Sequence, residues 1–191
     1  TLYNYSKADV IQHLQELNLT AGFRNLAENS LGVNYNPNIA VDFYASVDNL
    51  SERTININLP AELTINKQFS ASAEIKADLT RYSTKGYIPN NYFFNNNVVQ
   101  ILPLVKYNGD AFQLNAGIIP TWDNGRWSLL PNIYGEAFLP DKNFSVQAGI
   151  VGALNKNTYR NLSLRNPYLL HNNTQVNTKE TEIYGGLKTT L

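Results

Sequence analysis

The chain of 191 residues contains no cysteine. Disulfides, thiolate metal sites and a cysteine nucleophile are therefore excluded. It also lacks methionine, and its only histidines, His13 and His171, stand far apart with no His or Cys beside either. Zinc needs three or four converging ligands, so no metal or other cofactor is expected. Charge is scarce, at 16% of residues against about 25% in ordinary soluble domains. Acidic and basic residues cancel and no basic cluster exists, so neither nucleic acid nor an anionic surface is indicated as partner. No G-x-S-x-G and no glycine-rich phosphate loop occurs. Glu180 and Glu182 share a strand face, as do Glu74, Lys76 and Asp78. A glycosidase pair would have to converge across strands to about 5–9 Å, and these read instead as solvated charges, so the chain is not expected to be an enzyme. No apolar run reaches 18 residues, which excludes a transmembrane helix but not a transmembrane barrel, whose strands alternate. No leader peptide is read, and the last residues look like a strand. The expectation is a mature product or a piece of a longer chain.

What the sequence has in plenty is Asn, about one residue in seven, and tyrosine. It also has alternation. In "TININLPAELTINKQFSASAEIKADLT", residues 54–80, Ile55, Ile57, Leu59, Ala61, Leu63 and Ile65 stand against Asn56, Asn58, Glu62 and Thr64. The pattern resumes after Lys67 and Gln68, with Phe69, Ala71, Ala73, Ile75, Ala77 and Leu79 opposed to Ser70, Ser72, Glu74, Lys76 and Asp78. Period two is the mark of strands with one oily and one wet face. Further oily stripes are Phe112, Leu114, Ile118 and Trp122; Trp127, Leu129 and Ile133; and Phe144, Val146 and Ile150. Gln113 and Asn115 continue the wet face, while Leu130, Tyr134 and Phe138 make it less clean in 126–138.

Strands are placed at 1–5, 17–25, 34–47, 53–65, 69–80, 98–107, 111–122, 126–138, 143–154 and 178–190, with one short helix at 6–16 capped by Ser6. Asn108-Gly109 and Asn124-Gly125 read as hairpin dipeptides and 140–143 as a Pro-initiated turn. Long polar loops fill 81–97 and 155–177. In an up-and-down meander both fall at one end, opposite three short turns, as in an outer-membrane barrel. Ten steps of strand, Phe112 to Trp122, cover about 33 Å. Tilted about 40°, they span roughly the 25 Å apolar band of a barrel. Trp122 and Trp127 at one end, and Phe112 and Phe144 at the other, match the aromatic girdles. Pro60, Pro103, Pro120 and Pro131 fall inside strands, where bulges or interruptions must absorb them.

The run "PLVKYNGDAFQLNAG", the strand-and-loop "AGIVGALNKNTYRNL", and "NPYL" followed by "NTKETEIYGGLK" together resemble part of the outer-membrane β-barrel proteins of the Bacteroidota, many of which are labelled TonB-dependent receptors. The likeness spans about residues 17–191. It implies an all-β antiparallel meander forming part of a transmembrane β-barrel, with 1–191 a single barrel segment in the bacterial outer membrane. It further implies a receptor, transporter or porin-like role, with the lipid bilayer and the remainder of the barrel, including a plug, as partners. No stretch here reads as a plug. On this reading Ile55, Ile57, Leu59, Leu63, Ile65, Phe69, Ile75, Leu79 and the three further stripes face lipid. Asn56, Asn58, Glu62, Glu74, Lys76, Asp78, Gln113 and Asn115 face the lumen. Tyr87, Tyr92, Phe93, Phe94, Tyr159 and Tyr168 are loop candidates for an unknown ligand, since Tyr among Asn recognises partners at low entropic cost. Two alternatives stay open. One is a soluble all-β ligand-binding module, a sandwich or lipocalin-like barrel. The other is a non-transporting barrel scaffold of an envelope complex.

Overall fold

In a computed structural model the alternating segments pair with their neighbours into one antiparallel sheet. The structure describes residues 13–27, 31–46, 50–84, 92–139, 144–166 and 175–189. The strands are β1 (Leu14–Gly22), β2 (Val33–Tyr35), β3 (Asn38–Ser46), β4 (Leu50–Thr64), β5 (Phe69–Thr84), β6 (Tyr92–Asn108), β7 (Phe112–Asp123), β8 (Arg126–Phe138), β9 (Phe144–Asn155) and β10 (Thr178–Thr189). Among the described residues there is one helix, α1 (Tyr159–Arg165), after β9. The sheet order is β1-β3-β4-β5-β6-β7-β8-β9-β10, with β2 also on β4. The sheet is an up-and-down meander and is not closed: β1 and β10 each pair on one side among the described residues.

The interior prolines explain where the ladders break. β2 and β3 pair with β4 in one unbroken register, so they are a single strand interrupted at Asn36 and Pro37, opposite Pro60 and Leu59. Pro60 still pairs with Glu74 on its other side. Pro103 pairs with Ala73 on β5, and Pro120 with Leu129 on β8. Between them the β6–β7 pairing lapses over 101–103 and 118–120, then resumes in the same register. Pro131 pairs with Ile118 on β7, whereas the β8–β9 ladder begins only at Asn132. Each proline keeps one neighbour and loses the ladder where its missing N–H would have donated. Interruptions without bulges absorb all four.

Several sequence expectations are corrected. The strand expected at 1–5 and most of the helix expected at 6–16 lie outside the described residues, but Leu14–Glu16, assigned to that helix, are strand. They pair with Ala45 and its neighbours, and that tertiary pairing outweighs local helix preference. Of the expected 81–97 loop, 81–84 and 92–97 are strand, because β5 and β6 run on together to Thr84 and Tyr92; 85–91 lie outside the described residues. Tyr92, Phe93 and Phe94 are therefore strand residues, not loop residues. The 155–177 loop contains α1, capped by the Thr158 hydroxyl, which accepts the Asn161 N–H at 3.1 Å. Asn124-Gly125 is the expected hairpin turn, with φ of 48° and 88°. Asn108-Gly109 is not such a turn. Asn108 ends β6, residues 109–111 make the link, and Gly109 leaves room for the Tyr107 ring, which a Cβ would meet at 2.6–2.8 Å. Loop asymmetry is also weaker than expected, since β1 and β2, ten residues apart in the chain, are joined at the end of the short turns, and β3 and β4, three residues apart, at the other. The 140–143 turn lies outside the described residues.

Candidate functional site

The polar face is the concave one, because the chain after β9 reaches back across it. Above Pro131, β9 is released from β8 and crosses inward. Gly152 permits this, since a Cβ there would sit 2.8 Å from the Leu130 Cβ and the Pro131 Cδ. The crossing brings Leu154 and Lys156 beside Asn56, Asn58, Lys76, Asp78, Val98 and Gln100 around a recess of about 320 Å³. Lys156 Nζ bonds the Asp78 carboxylate, the Asp78 carbonyl at 3.0 Å and the Thr80 hydroxyl at 2.7 Å. Burial pulls the lysine's pKa down, and Asp78 opposes that pull. Asp42 accepts from Asn56 Nδ2 at 2.9 Å, and Lys106 pairs with Glu62 at 3.0 Å and Lys76 with Glu74 at 3.1 Å. Most of the polar groups on this face are matched to one another, while the buried Asn58 Oδ1 in the recess has no hydrogen-bond partner.

At the upper end, α1 lies on this face like a cover. Tyr44, Leu50, Tyr82 and Tyr159 form a small core there, with Phe94 packed against it. Ser163 and the Tyr44 hydroxyl share a hydrogen bond of 2.7 Å, and Arg160 pairs with Glu16 on β1. Glu52, 3% exposed, accepts the Tyr159 N–H at 2.8 Å and the Arg160 N–H at 3.4 Å. It thereby satisfies helix-end donors that no turn of helix can reach. Burial raises the Glu52 pKa, against the lowering effect of those donors. Burial likewise raises that of the Tyr82 phenol. Beside the core, Asn96 gives its amide protons to the Asn157 carbonyl at 2.9 Å and the Asn177 Oδ1 at 3.0 Å. Its Oδ1 accepts from Asn124 and Asn177 at 2.9 and 2.8 Å. The asparagine excess of the sequence is in part this network.

The register puts every residue expected to face lipid on the opposite, convex face, except Ile65, which lies just past the end of β4. Leu59, Ile75 and Ile101 form one row across β4–β6, and Ile133 and Ile150 pair on β8 and β9. Nothing among the described residues covers this face: Ile75 is 44% and Trp127 69% exposed. At its lower edge Tyr107 packs at a tilt between Phe69 and Phe112, at 4.8 and 4.7 Å between ring centres. Trp122 and Trp127 pair directly at the upper turn. All eight residues expected on the wet face lie there, paired as Asn56 with Asp78, Asn58 with Lys76 and Gln113 with Glu136.

The ligand candidates fare differently. Tyr159 is 4% exposed and belongs to the core under α1, and Phe94 leans on that core. Phe93 is on the convex face beneath Arg81. Tyr87 and Tyr168 lie outside the described residues. The sequence reading missed Glu52, Asn96, Lys156 and Asn177, which tie the cover down. The available signal was Thr158 as an N-cap, but the glutamate of a capping box is absent at 161, where Asn stands. No group of three metal-ligating side chains occurs among the described residues. Compared with family models, curated proteins and solved structures, the chain matches none.

Proposed function

We propose that this chain is a segment of an outer-membrane β-barrel, of a receptor, transporter or porin-like protein. The observation that carries the reading is the uncovered convex face. Large apolar side chains, interleaved with Ala, Gly and Pro, recur on this face of every strand from β3 to β9, with rings at both margins. A soluble module would turn these residues into a core, yet the small core that exists lies on the polar side. An exposed apolar area of this extent needs a partner, and lipid is the partner that a belt of this height fits.

The concave face is then the lumen. Its paired charges and amides suit water and polar solutes, and α1 with the upper end of β9 narrows it. Solutes would be selected at the upper end, by the cover and the loops around it. The test is whether the chain needs detergent to stay dispersed and whether it migrates differently on gels before and after boiling. Detergent dependence with heat-modifiable mobility supports the barrel. A detergent-free monomer would overturn it in favour of a soluble ligand-binding module.

A further inference from the structure

The convex face changes character one pleat above the belt. There Arg53 on β4 and Arg81 on β5 are direct cross-strand partners, one pleat above the Ile55–Leu79 pair. Both are exposed. Like charges directly opposite one another, with Cβ atoms about 5 Å apart, destabilise a sheet. Neither arginine has a carboxylate within ion-pair distance among the described residues. Each lies over a ring instead: Arg81 sits 4.7 Å from the centre of Phe93 and Arg53 6.0 Å from that of Phe43. The row runs Phe43, Arg53, Arg81, Asn95, so the flanking groups are another ring and a neutral amide. The zero net charge of the chain conceals this pair, and the sequence reading saw no anionic surface as partner.

We propose that Arg53 and Arg81 together bind the phosphate of an anionic lipid headgroup, one with no choline or other cation to neutralise it, at the upper margin of the belt. The inference rests on the convex face meeting lipid. Two guanidinium forks side by side match the oxygens of one phosphate, which also cancels their repulsion. Their height is right, because a side chain rooted at the belt's edge reaches the headgroup layer with its apolar stem still on the hydrocarbon. Phe43 and Phe93 hold the forks outward and fill the interface.

The test is native mass spectrometry of the protein in dodecyl maltoside micelles, offered phosphatidic acid, phosphatidylcholine or soluble glycerol phosphate. Retention of phosphatidic acid at least tenfold over phosphatidylcholine is expected, with little retention of glycerol phosphate. The selection should fall several-fold in R81Q and vanish in R53Q/R81Q. Equal retention of the two lipids by the wild-type protein overturns the proposal without reference to any variant. So does undiminished selection in the double variant. Glycerol phosphate held as well as the lipid would make this a soluble-phosphate site and also overturn it. A protein that never enters micelles fails at an earlier step and overturns the barrel reading itself.

Discussion

Ile75→Arg separates lipid from water at the convex face more sharply than any change in solubility. Ile75 lies in the row Leu59–Ile75–Ile101, six residues along β5 from Arg81. Six steps of about 3.3 Å, tilted about 40°, put it roughly 15 Å below the arginine row, near the middle of an apolar band about 25 Å high. Arginine at such a midplane costs about 2–4 kcal/mol. At about 1.4 kcal/mol per factor of ten, the folded-to-unfolded ratio should drop roughly 30- to 700-fold. In water the same position is an exposed strand site, where a substitution changes stability by no more than about 0.5 kcal/mol. The control is Ser72→Lys, on the wet face of the same strand and opposite Glu62, which should be nearly neutral. The assay is equilibrium urea unfolding from phosphatidylcholine vesicles, read by heat-modifiable mobility. If Ile75→Arg unfolds at the same urea concentration as the parent while Ser72→Lys does not, the assignment of the two faces is wrong.

Glu52→Ala should speed amide exchange at Tyr159 and Arg160 about 5- to 150-fold, since a buried N–H left without an acceptor costs about 1–3 kcal/mol; Glu52→Gln, which keeps an acceptor, should not. Glu52 lies above the belt and its pKa is raised from 4.5, so the stability it confers is full below that value and is lost as pH rises through the folded pKa. Protection of α1 in the parent should therefore decline over that window and stay flat in Glu52→Gln, as hydrogen exchange at several pH values would report. Lys156→Met strands Asp78, whose side chain is 36% exposed, and should cost about 1–3 kcal/mol in urea unfolding, with proteolysis between β9 and α1 rising in step. Gly117→Ala would place a Cβ 2.3 Å from the Pro103 carbonyl oxygen, forcing β6 and β7 apart at the Leu104–Gly117 pair where their ladder resumes; a loss of about 1–3 kcal/mol is expected, and an unchanged urea midpoint would refute the close approach.

The alternation in 54–80 was enough to give β4 and β5, their faces and their link, because period two dictates which side chains share a surface. The same holds for β7 to β9. The cover was not legible. Residues 155–177 carry no period, and α1 exists because Glu52, Tyr44 and Glu16, each more than a hundred residues earlier, receive it. Long-range partners of that kind leave no local trace. The aromatics near 92–94 misled for a related reason. Asn and Tyr in a polar stretch suit a recognition loop, but the extended β5–β6 hairpin absorbs them as strand residues, and packing decides their faces.

The prolines join the two halves of this picture. Pro60, Pro103, Pro120 and Pro131 looked like faults in a regular barrel, and three of them do no more than interrupt a ladder that resumes in register. At Pro131 the ladder to β9 does not resume above the break. With that edge unpaired and Gly152 offering no side chain, β9 can lean across the concave face and deliver Lys156 to Asp78 and α1 to Glu52. A residue that removes one hydrogen-bond donor therefore frees the segment that narrows the interior. Restoring a donor with Pro131→Val would favour pairing with β9 over its inward course. The Lys156–Asp78 contact should then weaken, and exchange at Tyr159 and Arg160 should quicken, even though neither residue touches position 131. Unaltered exchange there would mean that the polar contacts alone hold β9 inward and that the broken ladder is incidental.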